Sequence, residues 1–155
     1  MTAYTVASSA RIHAPASVAY GIIADYRDGH PHILPPKYFR NLRVDAGGVG
    51  TGTRIRFEMG AMGTWRESGA VVSEPEPGRL LREQVTTAPI ETTFTVEPVG
   101  AGACDVTIAT QMVHRSGIGG GLERLVTTAF LRRVYRAELA LLQRVAETRA
   151  RQSHT

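Results

Sequence analysis

Two histidines lie two positions apart in the stretch YRDGHPHILPPKYF, which covers residues 26–39. His30 and His32 flank Pro31, and imidazole groups bind metal ions or transfer protons near neutral pH. A catalytic zinc site usually needs three protein ligands, and the chain has no HExxH or comparable third-ligand motif. We therefore predict no metal site. Two interpretations stay open: acid–base groups at the mouth of a pocket, or polar side chains on a proline-stiffened turn.

Two tyrosines lie at the ends of the same stretch. A tyrosine offers an apolar ring for packing and a hydroxyl that can orient a polar ligand group. Tyr26 shares the apolar face of the preceding segment, which favours packing beside a pocket. For Tyr38, core packing and a role as a catalytic candidate are equally open.

Three charged side chains on predicted strands could also carry chemistry. A carboxylate or guanidinium turned into an apolar cavity is costly unless it is paired, and burial raises the pKa of a glutamate into the range of an acid–base catalyst. Glu67 and Arg82 are the candidates that we carry forward. One parity of the strand at 79–86 turns Glu83 inward, whereas the other turns Arg82 inward. The alternative is that a bulge leaves these groups in solvent.

The elements that must position these residues are mostly strands. Alternating apolar and polar residues, separated by glycine- and proline-rich turns, predict seven strands at 3–13, 39–45, 53–60, 64–74, 79–86, 90–98 and 103–113. A short helix is predicted at 16–26, after Pro15, and a second short helix or turn at 30–36. After the run IGGGLE, a long helix is predicted at about 122–149.

The predicted long helix carries two apolar stripes. The first contains Leu122, Val126, Phe130, Val134, Ala137, Leu141 and Val145, and the second contains Leu131, Tyr135, Leu139, Leu142 and Ala146. We expect the first stripe to cover the sheet. The second stripe would pack on the early helices or pair with another copy of the chain, so it predicts a candidate homodimer surface.

These elements predict an α+β fold in which a seven-stranded curved antiparallel sheet, two short helices after strand one and a long C-terminal helix enclose a cavity. Apolar cavities of this kind bind small molecules. We expect Trp65 to point inward, with Glu67 and Val71 on its face. The predicted ligand-binding residues are Tyr26, Ile55, Phe57, Met59, Trp65, Phe94, Ile108, Met112, Val126 and Phe130.

Composition limits the remaining function classes. The 155 residues fit one domain, 1–155, with a core at about 3–147 and a frayed tail at 148–155. Without an 18-residue apolar run or an apolar leader we expect no membrane insertion and a cytoplasmic location. The lone Cys104 excludes an internal disulfide and a cysteine metal cluster. We find no GxSxG, phosphate-loop or Rossmann motif, and we expect no cofactor.

The basic residues are unevenly distributed. The net charge is +4, and residues 115–151 hold eight arginines but only three glutamates. A solvated helix face is one explanation and an anionic partner is the other. Nucleic-acid binding is not favoured, because aromatic residues do not alternate with these arginines.

Three segments resemble one known family. ARIHAPASVAYGIIADY resembles the strand–proline–helix opening of the START-like, or SRPBCC, superfamily, VVSEPEPGRLL resembles its strand–turn–strand corner, and FTVEPVGAGACDVTIATQM resembles its last hairpin. The resemblance covers about residues 3–147. It implies the helix-grip fold of birch-pollen-type allergens, lipid-transfer domains and polyketide cyclases. The superfamily shares no catalytic motif, so the resemblance does not assign an activity.

Three functions follow as hypotheses. The first is a carrier or sensor of a hydrophobic, lipid- or polyketide-like small molecule. The second is an enzyme of the polyketide cyclase/dehydratase kind, which would use His30, His32, Tyr38, Glu67 or Arg82 around the cavity mouth. The third is a dimeric interaction module without a dedicated ligand.

Overall fold

Seven strands of the chain form one antiparallel sheet. A computed structural model describes residues 2–61, 63–114 and 116–153. The strands are β1 (Thr2–Ile12), β2 (Phe39–Ala46), β3 (Arg54–Ala61), β4 (Thr64–Glu76), β5 (Leu80–Val85), β6 (Glu91–Val99) and β7 (Ala103–His114). Their order across the sheet is β1-β7-β6-β5-β4-β3-β2. The sequence therefore predicted all seven strands, within about three residues at each end.

Two helices and one short turn of 3-10 helix complete the described fold. Helix α1 covers Ala16–Ala24, the 3-10 turn covers His30–Ile33, and α2 covers Ile118–Gln152. Pro15 precedes α1 and its carbonyl accepts the first helical hydrogen bonds, as the sequence predicted. The long helix packs against β1, β7, α1 and the 3-10 turn. The predicted helix-grip arrangement of a curved antiparallel sheet and a long C-terminal helix is confirmed.

Irregular pairing bends the sheet at two strands. The register shifts between Arg40 and Arg43 and again between Val44 and Ala46 on β2, where Asn41 has a positive φ of 56°. A third shift lies between Ser73 and Glu76 on β4. Extra residues of this kind increase local twist and bend, so the sheet curves around the space that α2 covers.

The assignment of the two stripes of α2 was wrong. The second stripe is the buried one, because Leu131, Tyr135, Leu139, Leu142 and Ala146 are all at most 7% exposed. It faces the sheet at Tyr135, whose hydroxyl bonds Thr110 on β7. The first stripe is divided: Val134 is buried, whereas Leu122 is 63% exposed and Val126 is 44% exposed. Both stripes are equally apolar, so the helical pattern could not show which one meets the sheet. Of the two alternatives that the sequence left open for the second stripe, packing within the chain is the one that the structure shows, and these buried side chains offer no surface for a homodimer.

Both ends of α2 extend beyond the predicted bounds. The helix begins at Ile118, after Gly117 with φ 95°, so the glycine run belongs to its first turn. At the other end, Arg149 Nη2 donates a 2.7 Å hydrogen bond to the carbonyl of Asp28, and Ala150 is buried. Residues 148–152 are therefore helical rather than a frayed tail, and residues 154–155 lie outside the described part.

Candidate functional site

The inner face of the sheet and α2 enclose a cavity of about 380 Å³. Its walls are mostly apolar: Ile55, Phe57 and Met59 come from β3, Phe94 and Met112 from the far strands, and Leu131 from α2. The alternation of β3 predicted that its three residues share this face. A cavity of this size and polarity is in the range that binds small organic ligands.

Five residues of the predicted lining lie elsewhere, and Trp65 is one of them. Val126 points away from the sheet, and Ile108 is buried in the core without reaching the cavity. Tyr26 does not line the cavity, but its hydroxyl bonds Glu83, which does. Phe130 packs edge-on against Tyr38 at 5.6 Å between ring centroids, outside the main cavity.

Trp65 was predicted on the wrong face. It pairs with Gly60 across the β3–β4 ladder, and the guanidinium of Arg40 lies 4.0 Å from the centre of its ring on the outer face of the sheet. Glu67 shares that outer face, as its parity requires, and its carboxylate lies 4.0 Å from Arg56. We expected this large apolar side chain to point inward. On the outer face its ring is instead stabilised by a cation–π contact with Arg40.

Two glutamates form the polar part of the cavity wall. The alternation of β5 turns Glu83 inward together with Leu81, which settles the open parity of that strand. Glu138 comes from α2 and is 4% exposed. Burial raises the pKa of Glu138 well above the ordinary value of a carboxyl group, and the nearby charge of Glu83 raises it further. The neutral, protonated form of Glu138 is therefore favoured over the form that a solvent-exposed glutamate takes.

Tyr26 is the hydrogen-bond partner of Glu83. Its hydroxyl donates to Oε2 of Glu83 at 2.9 Å. Burial of the ring, and then the charge of Glu83, raise the pKa of Tyr26 well above its ordinary value, so the phenol stays protonated. The two carboxyl groups thus have different surroundings: Glu83 accepts a fixed hydrogen bond, whereas Glu138 has no hydrogen-bond partner among the described residues.

A chain of three hydroxyl groups lies along the same cavity. Thr92 Oγ1 and Thr110 Oγ1 are 2.8 Å apart on neighbouring strands, and Thr110 also bonds the hydroxyl of Tyr135 on α2. Burial raises the pKa of Tyr135. All three residues line the cavity. They add neutral donors and acceptors beside Glu138, which can orient an oxygen-bearing ligand without adding charge.

The two histidines of the opening stretch have opposite surroundings. His30 is 2% exposed and lines the cavity, and its Nδ1 donates a 2.8 Å hydrogen bond to the carbonyl of Ile23. Its ring stacks on Tyr26 with 4.3 Å between centroids. His32 lies two residues further along the 3-10 turn and is exposed. Of the two histidine candidates, only His30 reaches the cavity, whereas His32 is a polar side chain on the proline-stiffened turn.

The other three catalytic candidates do not converge on the polar wall. Tyr38 lines a second, more open cleft with Trp65, Phe130 and Lys37. Arg82 faces outward, and its Nε lies 2.7 Å from Glu91. Glu67 only borders the cavity rim, with its side chain 66% exposed.

The sequence reasoning missed several residues of the site, including the hydroxyl-bearing Tyr135, Thr92 and Thr110. Glu138 lies on α2 between Tyr135 and Leu142, at the helical spacing of the buried stripe, and this position was the available signal. Arg66 and Ser68 pair with Met59 and Phe57, so they share the inner face of β3 and line the cavity. Assigning Trp65 to that face turned both of them outward by parity.

Within the described residues, no three histidine, cysteine, aspartate or glutamate side chains are placed to hold a metal ion. Neither described helix has a segment long and apolar enough to cross a lipid bilayer.

Comparison with solved structures supports the fold. The KanY protein superposes with a TM-score of 0.82 at 24% identity, covering 95% of this chain and 99% of that one. The ZhuI aromatase/cyclase from a Streptomyces species has a TM-score of 0.79 at 18% identity, with 96% of both chains covered. Norcoclaurine synthase from Thalictrum flavum has a TM-score of 0.73 at 17% identity, again covering 96% of both. At these identities the likeness shows the fold alone.

Sequence comparison gives the family. No curated protein matches the chain. The family described as polyketide cyclase / dehydrase and lipid transport matches residues 3–147, which include every strand and most of α2. The predicted START-like, or SRPBCC, superfamily is confirmed. The chain belongs to the polyketide cyclase / dehydrase and lipid transport family.

Proposed function

We propose that the protein binds a largely apolar small molecule whose oxygen-bearing end lies against Glu138, Tyr135 and Thr110. One observation carries this proposal: a cavity of about 380 Å³ with mostly apolar walls contains a buried carboxyl group whose pKa is raised well above its ordinary value by that burial. The family supports a hydrophobic ligand-binding or cyclase role at this coarse level.

The polar groups are placed to orient such a ligand. A protonated Glu138 donates a hydrogen bond to a carbonyl or phenol oxygen, and the hydroxyls of Tyr135 and Thr110 offer further donors and acceptors nearby. A ligand without oxygen atoms would leave the buried carboxyl group of Glu138 without a hydrogen-bond partner, which is costly. Polyketide-like ketones and phenols fit this requirement better than plain hydrocarbon chains.

A second candidate function is acid–base catalysis of the cyclase/dehydratase type. The observation that favours it is the pair of unlike carboxyl groups, because two titratable groups in different surroundings can divide the roles of acid and base. In an aldol cyclisation, the Glu83 carboxylate accepts a proton from the carbon beside a ketone. The resulting enolate attacks a second carbonyl of the same molecule, and Glu138 delivers its proton to the alkoxide oxygen that forms. The match to the polyketide cyclase / dehydrase and lipid transport family supports this reaction class, and the Streptomyces aromatase/cyclase is an example of a cyclase with this fold.

Binding is tested by titrating the protein with a hydroxylated naphthoquinone and measuring the heat released. Thr110→Val removes the hydroxyl that bonds both Tyr135 and Thr92, and we expect affinity to fall about tenfold. Thr107→Val is the matched control, since Thr107 lies on the same strand but bonds Ser9 on the outer face. Equal affinities in both variants would place the probe outside this cavity. Native mass spectrometry of the freshly purified protein would identify a retained ligand.

Catalysis is tested separately, with a linear poly-β-ketone thioester and the absorbance of the aromatic product. Glu138→Gln and Glu83→Gln should each slow the reaction by about a hundredfold or more, as expected for a lost general acid or base. Glu147→Gln is the control on α2. If turnover in both cavity variants stayed within about twofold of the wild type, the proposed catalysis by Glu83 and Glu138 would be rejected and only the binding function would be kept.

A further inference from the structure

The first turns of α2 expose large apolar side chains to solvent. Ile118 is 95% exposed, Leu122 63%, Leu125 69% and Val126 44%. At about 100° per residue they lie on one face, opposite the stripe that packs on the sheet. We call these four residues the exposed tip. Contiguous apolar surface of this kind on a folded chain marks an interaction site.

The same face of α2 becomes cationic immediately after the exposed tip. Arg132, Arg133 and Arg136 are exposed and lie with the tip within a sector of about 120°. We call these three residues the arginine band. None of them forms an ion pair with a carboxylate of the described residues. Glu123 and Glu138, the acidic residues of this part of α2, fall outside the sector.

We propose that this face of α2 docks the protein on an anionic lipid surface. The exposed tip enters the apolar side of the headgroup layer, and the arginine band contacts lipid phosphates. Apolar side chains beside uncompensated cations are the combination that binds such surfaces. Four apolar side chains are far fewer than the 20–30 residues that each partner contributes to a stable protein interface. Two copies paired through the tip would also bring unpaired arginines close together.

The position of this surface suits the cavity. Leu131 lines the cavity from α2, and it lies between the exposed tip and the arginine band in the sequence. Leu131 belongs to the stripe opposite the exposed tip, so a docked protein would hold its cavity about one helix diameter, roughly 10 Å, from the bilayer surface, where apolar molecules dissolve. This surface is distinct from the groups that hold the ligand, so its test does not depend on the ligand proposal.

The test is co-sedimentation with vesicles of equal parts phosphatidylcholine and phosphatidylglycerol, and with vesicles of phosphatidylcholine alone. We expect binding to the anionic vesicles that weakens with added salt. Leu122→Ser/Leu125→Ser should weaken vesicle binding about tenfold, because it removes two leucine side chains that would be buried in the lipid on docking. Val49→Ser is the apolar control, because Val49 is 66% exposed on a distant loop. Unchanged binding of the double leucine variant would overturn the proposal.

The arginines have a matched control of equal charge. Arg132→Gln/Arg136→Gln should weaken binding about fivefold for each arginine removed. Arg43→Gln/Arg54→Gln removes the same charge from the outer side of β2 and β3 and should have a much smaller effect. If the two double arginine variants lost vesicle binding equally, the attraction would depend on net charge alone, which would contradict a docking face on α2. Light scattering provides a second check: a wild-type dimer that the leucine variant converts to a 16.8 kDa monomer would assign the face to self-association instead.

Discussion

The hydroxyl of Tyr26 donates a 2.9 Å hydrogen bond to Oε2 of Glu83, and this contact joins the chain just after α1 to the cavity side of β5. Tyr26 is 1% exposed, so the bond forms away from water. The Tyr26 ring stacks on His30, which itself lines the cavity. One tyrosine therefore sets both the orientation of an inward carboxylate and the position of the buried histidine.

Tyr26→Phe should destabilise the fold while keeping its packing. The substitution retains the ring but leaves the carboxylate of Glu83 without its donor, and the loss of a hydrogen bond to a charged group costs about 1.5–3 kcal/mol. Chemical denaturation measures this free energy of unfolding. Tyr38→Phe is the control, because Tyr38 is also buried but its hydroxyl has no hydrogen-bond partner among the described residues. Equal losses in the two variants would show that the Tyr26–Glu83 bond contributes nothing specific.

Glu138 makes the stability fall as the pH rises. Its pKa is raised in the folded state, so between the unfolded pKa and the folded pKa the folded chain holds a proton that the unfolded chain has lost. In this pH window the free energy of unfolding falls by up to about 1.4 kcal/mol per pH unit. Glu138→Gln removes this pH dependence. From about pH 5 upward, the free energy of unfolding of the variant should therefore increase relative to that of the wild type.

The measurement is a series of denaturant titrations of both proteins across that range. Glu147→Gln serves as the reference for a glutamate on the same helix that is not fully buried. If plots of the free energy of unfolding against pH ran parallel for the wild type and Glu138→Gln, Glu138 would ionise in the folded state as it does in water.

The periodicity of the sequence predicted the fold better than the site. Strands were predictable because one buried face imposes a period of two over each of them, as in β3. The stripes of α2 were not, since both offer similar apolar side chains and only the tertiary packing chooses between them. The glutamate at position 138 was missed for the same reason: its significance depends on which stripe is buried.

Predictions for single side chains were wrong where the environment of the side chain depends on tertiary contacts. Trp65 is the largest apolar side chain on β4, yet it stacks under Arg40 on the outer face. Because one strand alternates strictly, that one error also misplaced Arg66 and Ser68. His30 and His32 could not be told apart by sequence, because both lie on the same 3-10 turn and differ only in tertiary packing, with Tyr26 and Phe94 against the ring of His30.

Replacing the two histidines separately should give unequal results. His30→Ala removes a buried ring that stacks on Tyr26 and donates to Ile23, and we expect a loss of about 2–4 kcal/mol. His32→Ala acts on an exposed side chain and should stay within about 0.5 kcal/mol of the wild type. Thermal and chemical unfolding measure both. A comparable loss in His32→Ala would require a structural role for that side chain.

Gly29→Ala tests the corner between Tyr26 and His30. A Cβ atom at Gly29 would lie 2.5 Å from the carbonyl oxygen of Ile22 and 2.9 Å from its Cα, and both are backbone atoms that a rotamer change cannot move. We expect a loss of about 1–3 kcal/mol from this overpacking, with a shift of the His30 ring signals by NMR. Gly21→Ala is the matched control: its Cβ would meet nothing within 4 Å in the middle of α1. That change should stabilise the protein by about 0.5–1 kcal/mol, because alanine favours the helix more than glycine does. If Gly29→Ala were as stable as Gly21→Ala, α1 could move away from the corner, and the position of His30 would not depend on this close approach.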